Sequence, residues 1–281
     1  MVSSILLLFT QSGSFLQKLS PSMIEKSGIP YFWAVGMGLL VIIAVSSPRL
    51  RKRCFVTGRR AMSGRIFFSL VTIMMAIQVV ASVYSLVFEK FVNLFGISAM
   101  QQLEAATHSS QTISMLLYAG FLGPVTEEII FRGYLLRSLE KYGSALAITI
   151  SAYMFGLYHS NFIQSPFAFM VGLVLGYVAI TYGIKWSISL HIFNNFILGD
   201  FLTFFLRRFM PQQVEKASSM IIFIGGLVGL YLLLRKREKI FAWWNSKRSE
   251  LPYLKAAFLN KYLLVITVLV LGLACLGLTR V

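Results

Sequence analysis

The chain has 281 residues, of which 57% are hydrophobic and only 13% are charged, and its mean hydropathy is +0.75. An average soluble domain carries about 25% charged residues, so this composition excludes an ordinary soluble protein and predicts an integral membrane protein. The net charge of +16 does not indicate nucleic-acid binding, because 15 of the 26 Lys and Arg residues lie in segments 49–65 and 235–261. Such segments beside apolar spans are typical of cytoplasmic loops that contact anionic lipid.

The apolar segments predict an all-α fold, a polytopic bundle of about eight transmembrane helices. A hydrocarbon core of about 30 Å needs about 20 apolar residues in a helix, and eight segments approach this length. The predicted spans are 30–47, 66–88, 112–131, 146–164, 166–184, 186–206, 217–234 and 260–279. The apolar run at 5–9 is too short to span, and residues 1–20 lack the pattern of a signal peptide, so we expect an interfacial segment there.

The distribution of Lys and Arg predicts that both termini lie outside the cytoplasm. Segments 49–65, 132–145 and 235–261 then lie inside, and the segment 89–111, which contains His108, lies outside. Tryptophan and tyrosine accompany the basic residues of 235–261, which favours a helix lying in the membrane interface. A partly ordered linker is the alternative for this segment.

Two adjacent carboxylates, Glu127 and Glu128, lie in a predicted membrane helix, although the chain has only ten acidic residues. An ionisable group within a bilayer costs about 2.5–3.5 kcal/mol on insertion scales and therefore marks a candidate site. Arg132 follows Glu128 by four residues, so the two can pair on one helix face. Glu127 is rotated by about 100° from Glu128, faces elsewhere and needs another partner.

Two histidines, His159 and His191, also lie in predicted membrane segments. A Gly-Ser pair at 143–144, midway between Glu127 and His159, predicts a helix stop and restart. An antiparallel hairpin turning there places Glu127 level with His159. By helical rise, Glu127 and His191 each lie about 8–9 Å from a basic residue at the cytoplasmic boundary, so all three can share one depth. Asn195 follows His191 by four residues and shares its helix face.

Each of these features has a purely structural alternative. A Glu–Arg pair on a membrane helix often only joins helices, and a lone His or Asn often only makes an interhelical hydrogen bond. Phe155, four residues before His159, is interpreted mainly as a packing residue. The grouping of two of the three histidines with two of the ten acidic residues at one depth nevertheless favours a functional site.

Three motifs follow one another along this part of the chain. They are Glu127-Glu128-x-x-x-Arg132, Phe155-x-x-x-His159 and His191-x-x-x-Asn195. With them the sequence resembles the CAAX protease and bacteriocin-processing family of intramembrane proteases, often called the Abi family, which includes the type II CAAX prenyl endopeptidases. The resemblance implies a helical bundle with its active site in a cavity among the helices. It covers a catalytic core at 111–206. The composition predicts N-terminal spans with a basic cytoplasmic loop at 1–110 and C-terminal spans with a basic interfacial segment at 207–281.

By this resemblance, Glu127 is the general base and activates a water molecule together with His159, while His191 and Asn195 bind the oxyanion of the tetrahedral intermediate. Glu128, Arg132 and Phe155 are the expected supporting residues. These roles suit the residue types, because a carboxylate in a low-dielectric cavity is a stronger base than one in water. Loss of one oxyanion donor typically costs about 10²–10³ in rate.

Several alternatives stay open. Glutamate and histidine can also ligate zinc, but zinc proteases usually present His-Glu-x-x-His on one helix, which this sequence lacks, so we favour a site without cofactor. A non-catalytic immunity protein or a regulator of a membrane sensor kinase is a second class of function. A transporter would predict inverted repeats or broken helices, and neither is evident.

The resemblance also bears on substrate and location. Expected substrates are a peptide leader, a pheromone precursor or a prenylated tail cut near the membrane surface, with membrane lipid as a further partner and no nucleic acid. The family's eukaryotic members act in the endoplasmic reticulum, and the chain shows no retention signal. We therefore expect a multi-pass protein of the bacterial plasma membrane.

Overall fold

A computed structural model describes residues 29–100 and 112–280. Within these ranges the protein is almost entirely helical, which confirms the all-α fold class. The helices are α1 (Ile29–Val45), α2 (Pro48–Cys54), α3 (Gly64–Asn93), α4 (Ile113–Tyr142), α5 (Ser144–Tyr158), α6 (Gln164–Thr181), α7 (Ile184–Phe209), α8 (Val214–Asn245), α9 (Arg248–Phe258) and α10 (Lys261–Leu276). Two short antiparallel strands, β1 (Ile97–Ser98) and β2 (Thr279–Arg280), join the end of α3 to the end of α10. The expected interfacial segment within 1–20 and His108 lie outside the described residues.

Several helices begin at side chains that cap their first turn. A hydroxyl or amide oxygen accepts a hydrogen bond from a backbone N–H that has no partner within the helix, which is what favours Ser, Thr and Asn at this position. The capping residues of α2, α3, α4 and α10 are Ser47, Ser63, Thr112 and Asn260. The starts of α3, α4 and α10 lie within a few residues of the boundaries that the sequence predicts, whereas α2 lies in a segment predicted as a loop.

The number of spans is smaller by length and composition than the predicted eight. Among the described residues, five helices are long and apolar enough to cross a membrane: α3, α4, α6, α7 and α8. The pair α9 and α10, bent by 62°, forms a sixth if it counts as one span. Helices α1 and α5 are apolar but shorter. All eight predicted segments do coincide with helices, but a count of eight spans is not confirmed.

Helix α5 ends earlier than the predicted span 146–164. It has 15 residues, or about 22 Å of rise, and stops at Tyr158. The side-chain oxygen of Asn161 then accepts hydrogen bonds from the backbone N–H groups of Ile163 and Gln164, which starts α6. His159 therefore lies in the connection between two helices rather than within one.

Helices α3, α6 and α7 enclose the largest apolar core, with α8 packed on the outer side of α3. Buried core residues include Met74 on α3, Leu175 on α6 and Leu190 on α7. The backbones of α3 and α8 approach closely at Gly229, where an added Cβ would lie 1.9 Å from the carbonyl oxygen of Thr72. Such contacts between small residues are a common way to join membrane helices.

The predicted hairpin between α4 and α5 is present. Gly143 separates the helices with a φ of 128°, a backbone conformation that favours glycine. The Ser151 hydroxyl on α5 donates to the carbonyl oxygen of Phe131 on α4 (2.7 Å), which holds the helices side by side. Glu250 of α9 caps the start of α5, since its carboxylate accepts from the backbone N–H groups of Ala145 (2.7 Å) and Leu146 (3.1 Å).

The basic segment 235–261 is not one interfacial helix. Its first part, through Asn245, continues α8 without a break, because the residues there are good helix formers and no proline or glycine interrupts them. The second part forms the short helix α9, which is bent by 62° from α10. Through Glu250, α9 contacts the start of α5 beside the α4–α5 turn.

Candidate active site

Backbone geometry changes in the two helices that carry the candidate residues. Helix α4 has π-helical turns at Tyr118–Leu122 and Ile129–Leu135, on either side of the paired glutamates. Helix α7 changes from α-helix to π-helix at Phe193–Phe201, directly after His191. Such turns are rare and occur frequently at functional sites. A π-helical turn changes the rotation per residue from the roughly 100° of an α-helix. The helix face on which each later side chain lies therefore differs from the predicted one.

Glu128 is fully buried and has three side-chain partners. Its Oε1 lies 3.0 Å from Arg132 Nη1 and 3.1 Å from His191 Nδ1, and the Ser187 hydroxyl donates to its Oε2. Because a carboxylate only accepts, the proton in the contact with His191 is on Nδ1. The predicted pairing of Glu128 with Arg132 is observed, and two further groups join it.

Phe155 lies at the centre of the charged group. The Arg132 guanidinium carbon is 4.3 Å from its ring centroid, within the range of a cation–π interaction. The same ring packs edge-on against His159 (5.0 Å between centroids) and His191 (5.7 Å). Phe155 is thus a packing residue, as interpreted from the sequence, and its ring contacts the guanidinium and both imidazoles.

Glu127 faces away from Glu128 but reaches the same imidazole. Its Oε2 lies 3.7 Å from His191 Nε2, so His191 stands between the two carboxylates. The side chain of Glu127 is 17% exposed, whereas that of Glu128 is inaccessible. The contact is too long for a strong hydrogen bond, and Glu127 therefore keeps lone pairs that a ligand can use.

His159 lies near Glu127, although not as its closest imidazole. Glu127 interacts with it electrostatically. His159 Nδ1 is 2.9 Å from the carbonyl oxygen of Phe155, so Nδ1 carries the proton and Nε2 has the lone pair in the neutral ring. The sequence predicts that Glu127 pairs with His159. In the structure Glu127 also contacts His191, because α7 packs against α4 at this level.

Asn195 lies one turn beyond His191 on α7. Its Nδ2 is 3.4 Å from the carbonyl oxygen of Ala119 on α4, and its Oδ1 accepts from Asn194 (3.0 Å). Asn194 in turn accepts from Gln78 on α3 (2.9 Å). This chain of amides fixes which side of Asn195 is the donor, so its Nδ2 can serve an acceptor at the site.

Comparison with known proteins adds a family to this geometry. Residues 109–197 match the family model described as "Type II CAAX prenyl endopeptidase Rce1-like". We call this matched segment the Rce1-like domain. It covers less than half of the chain and includes every candidate residue from Glu127 to Asn195. No curated protein and no solved structure matches the chain.

The Rce1-like match agrees with the family resemblance seen in the sequence. A multi-pass membrane protein is also supported by the long apolar helices of the fold. The match ends at residue 197, so the predicted limits of the regions at 110 and 206 stay predictions.

The side chains of the Rce1-like domain were also considered as metal ligands. In the part of the chain that the structure describes, no three His, Cys, Asp or Glu side chains are grouped in a way that could hold a metal ion. One reason is that Glu128 is already engaged by Arg132, Ser187 and His191.

Three polar residues of the site are missing from the sequence-based prediction: Ser187, Asn194 and Gln78. Ser187 is fully buried, precedes His191 by four residues and thus shares its helix face, a signal that the sequence contained. Asn194 could have been noticed as a buried polar neighbour of Asn195. Gln78 lies outside the Rce1-like domain, on α3, and no local spacing relates it to the site.

Proposed function

We propose that the protein is an intramembrane endopeptidase in which Glu127 activates a water molecule to hydrolyse a peptide bond near the membrane surface. The observation that carries this proposal is the difference in burial and contacts between the two adjacent glutamates. Glu128 is buried and held by three side chains, whereas Glu127 is partly exposed and, among the described residues, has a 3.7 Å contact with His191 and an electrostatic interaction with His159. A carboxylate with unused lone pairs in an apolar setting is suited to act as a general base. The Rce1-like domain supports a protease of the CAAX type.

In the proposed reaction, Glu127 takes a proton from water as the water oxygen attacks the scissile carbonyl carbon. His159, whose Nδ1 is bonded to a backbone carbonyl, orients the same water through Nε2. The carbonyl oxygen becomes an oxyanion, which His191 and Asn195 stabilise by donation. The proton held by Glu127 then passes to the leaving nitrogen, the C–N bond breaks, and a carboxylate and an amine are released.

The oxyanion role sets a condition on His191. Its Nδ1 proton is bonded to Glu128, so Nε2 can donate to an oxyanion only when the ring carries both protons. Asn195 needs no such change, because Asn194 already occupies its Oδ1 and leaves Nδ2 as the donor. Donors held in place before the reaction are the main source of oxyanion stabilisation in enzymes.

We further propose that the substrate is a peptide leader, a pheromone precursor or a prenylated tail, and that the protein acts in a bacterial plasma membrane. Positively charged segments such as 49–65 favour contact with anionic lipid. The reaction as written uses no metal ion. A zinc-dependent version is the alternative, and loss of cleavage on adding a chelator would favour it.

The test is a comparison of membrane peptides from cells that carry wild-type protein, Glu127→Ala or Glu215→Ala. Glu215 is an exposed residue at the start of α8 and serves as the matched control. We expect an uncleaved precursor to accumulate in cells with Glu127→Ala alone. If processing is unchanged and Glu127→Ala rescues a deletion strain fully, the protein acts without catalysis, for example as a regulator of a membrane sensor kinase.

A further inference from the structure

A polar cavity lies at the basic end of the bundle, away from the Rce1-like motifs. It has a volume of about 200 Å³ and is formed by α2, the segment that follows it, and the ends of α4 and α6. Its lining residues are Arg53, Val56, Thr57, Arg59, Arg137, Glu140 and Ile180. Arg137 lies ten residues along α4 from Glu127, or about 15 Å of helical rise, so the cavity is separate from the candidate active site.

Three guanidinium groups surround one carboxylate in this cavity. Glu140 Oε1 lies 3.2 Å from Arg59, and Glu140 Oε2 lies 3.4 Å from Arg53 and 3.0 Å from Arg137. Both carboxylate oxygens are therefore engaged, and one negative charge faces three positive charges. The cavity has an excess of two positive charges and more N–H donors than its own acceptors can satisfy.

Arg137 shows this excess most directly. It is only 4% exposed, and its two terminal nitrogens bond to Glu140 and to the carbonyl oxygen of Ala179 (2.9 Å). Its Nε is buried and has no hydrogen-bond partner among residues 29–100 and 112–280. Buried donors are almost always paired in proteins, and this one is left unused by Glu140 and Ala179. The donors that an anion in the cavity can reach are those of Arg53 and Arg59, whose side chains are 44% and 72% exposed.

We propose that this cavity binds a phosphate group. Arginine presents its donors in a planar fork that matches phosphate oxygens, and charge-assisted bonds of this kind are the strong ones. A phosphate would neutralise the excess charge and join α2 to the ends of α4 and α6. The group can come from a lipid headgroup or from a soluble phosphate compound, and the proposal does not depend on the proposed protease activity.

The test measures binding by isothermal titration calorimetry, with purified full-length protein in a neutral detergent at constant ionic strength. The probes are inorganic phosphate and a short-chain phosphatidylglycerol. Arg59→Gln removes one exposed guanidinium, and Val56→Trp fills the cavity without changing its charge. Arg237→Gln removes an exposed positive charge from the basic extension of α8 and is the matched control.

We expect the wild type and Arg237→Gln to bind at least one probe, with binding weakened about tenfold or more in Arg59→Gln and Val56→Trp. Binding of both probes indicates that the phosphate group suffices, and binding of phosphatidylglycerol alone indicates a lipid headgroup as the source. The proposal is overturned if neither probe binds the wild type, or if all four proteins bind equally well. Val56→Trp decides the question if Arg59→Gln does not fold.

Discussion

The adjacent glutamates can be separated by two isosteric substitutions, Glu127→Gln and Glu128→Gln. Each removes one negative charge while keeping the size of the side chain. We expect Glu128→Gln to lower the free energy of unfolding strongly and Glu127→Gln to leave it almost unchanged. Glu127→Gln should instead abolish proteolysis in a folded protein.

The difference in magnitude follows from burial and distance. Glu128 and Arg132 are both inaccessible and lie 3.0 Å apart, and removing one partner of such a pair costs about 3–5 kcal/mol because it leaves a buried charge uncompensated. The bonds from Ser187 and His191 belong to the same network, so their losses do not simply add. Glu127 has one contact at 3.7 Å and is partly exposed, so its loss should cost about 1 kcal/mol or less.

The assay is reversible unfolding of each purified variant in mixed micelles with increasing SDS, followed by far-UV circular dichroism. A double variant, Glu128→Gln with Arg132→Met, is the control, because removing both charges should recover part of the loss. Equal destabilisation by Glu127→Gln and Glu128→Gln would refute the assignment of one carboxylate to the fold and the other to chemistry.

Three further predictions concern the oxyanion donor, the α3–α8 contact and a buried thiol. Asn195→Ala should lower kcat by about 10²–10³ in a cleavage assay. Gly229→Ala should destabilise the protein by about 1–3 kcal/mol in the same SDS titration, because its Cβ would meet the Thr72 carbonyl at 1.9 Å. Cys54 is fully buried, and burial raises the pKa of its thiol. In a Cys275→Ser background, labelling of Cys54 by a maleimide should therefore be slow at pH 7. The labelling rate should rise only at a more alkaline pH than for an ordinary thiol.

Each of these predictions has a control in the chain. Asn195→Asp keeps the shape but removes the donor, so activity retained in that variant would contradict the oxyanion role. Gly272→Ala is matched to Gly229→Ala, since nothing lies within 4 Å of its added Cβ, and equal costs for the two would contradict close backbone packing. Rapid labelling of Cys54 in the folded protein, as fast as after denaturation, would contradict its burial.

The fold class and the α4–α5 hairpin could be predicted because local signals determine them. Apolar length identifies the helices, and Gly143 marks a turn that only a few residue types adopt easily. The early end of α5 was not predicted, because a span of about 20 residues was assumed although the polar residues His159, Ser160 and Asn161 follow Tyr158. The stop depends on Asn161, which starts the next helix. Among the described residues, five or six helices meet the length and apolarity of a membrane span, so the predicted count of eight stays a prediction.

The charged partners within one helix were predictable, and those between helices were not. A spacing of four residues identifies Glu128 and Arg132 as a pair. The position of His191 between Glu127 and Glu128 depends on how α7 is rotated and packed against α4, and on π-helical turns in both helices. Residue spacing in one sequence does not contain the rotation of one helix against another. The sequence therefore predicts His159 as the partner of Glu127 and does not predict its contact with His191.

The central claim is that Glu127 activates the attacking water without a metal ion. Its most direct test is the cleavage rate of the precursor that accumulates in Glu127→Ala cells, measured with purified wild type and Glu127→Ala in liposomes, each with and without a chelator. We predict that the wild type cleaves equally fast in both conditions and that Glu127→Ala is slower by about 10²–10⁴ or more. Cleavage by Glu127→Ala at the wild-type rate, or complete loss of wild-type activity with the chelator, would contradict the mechanism.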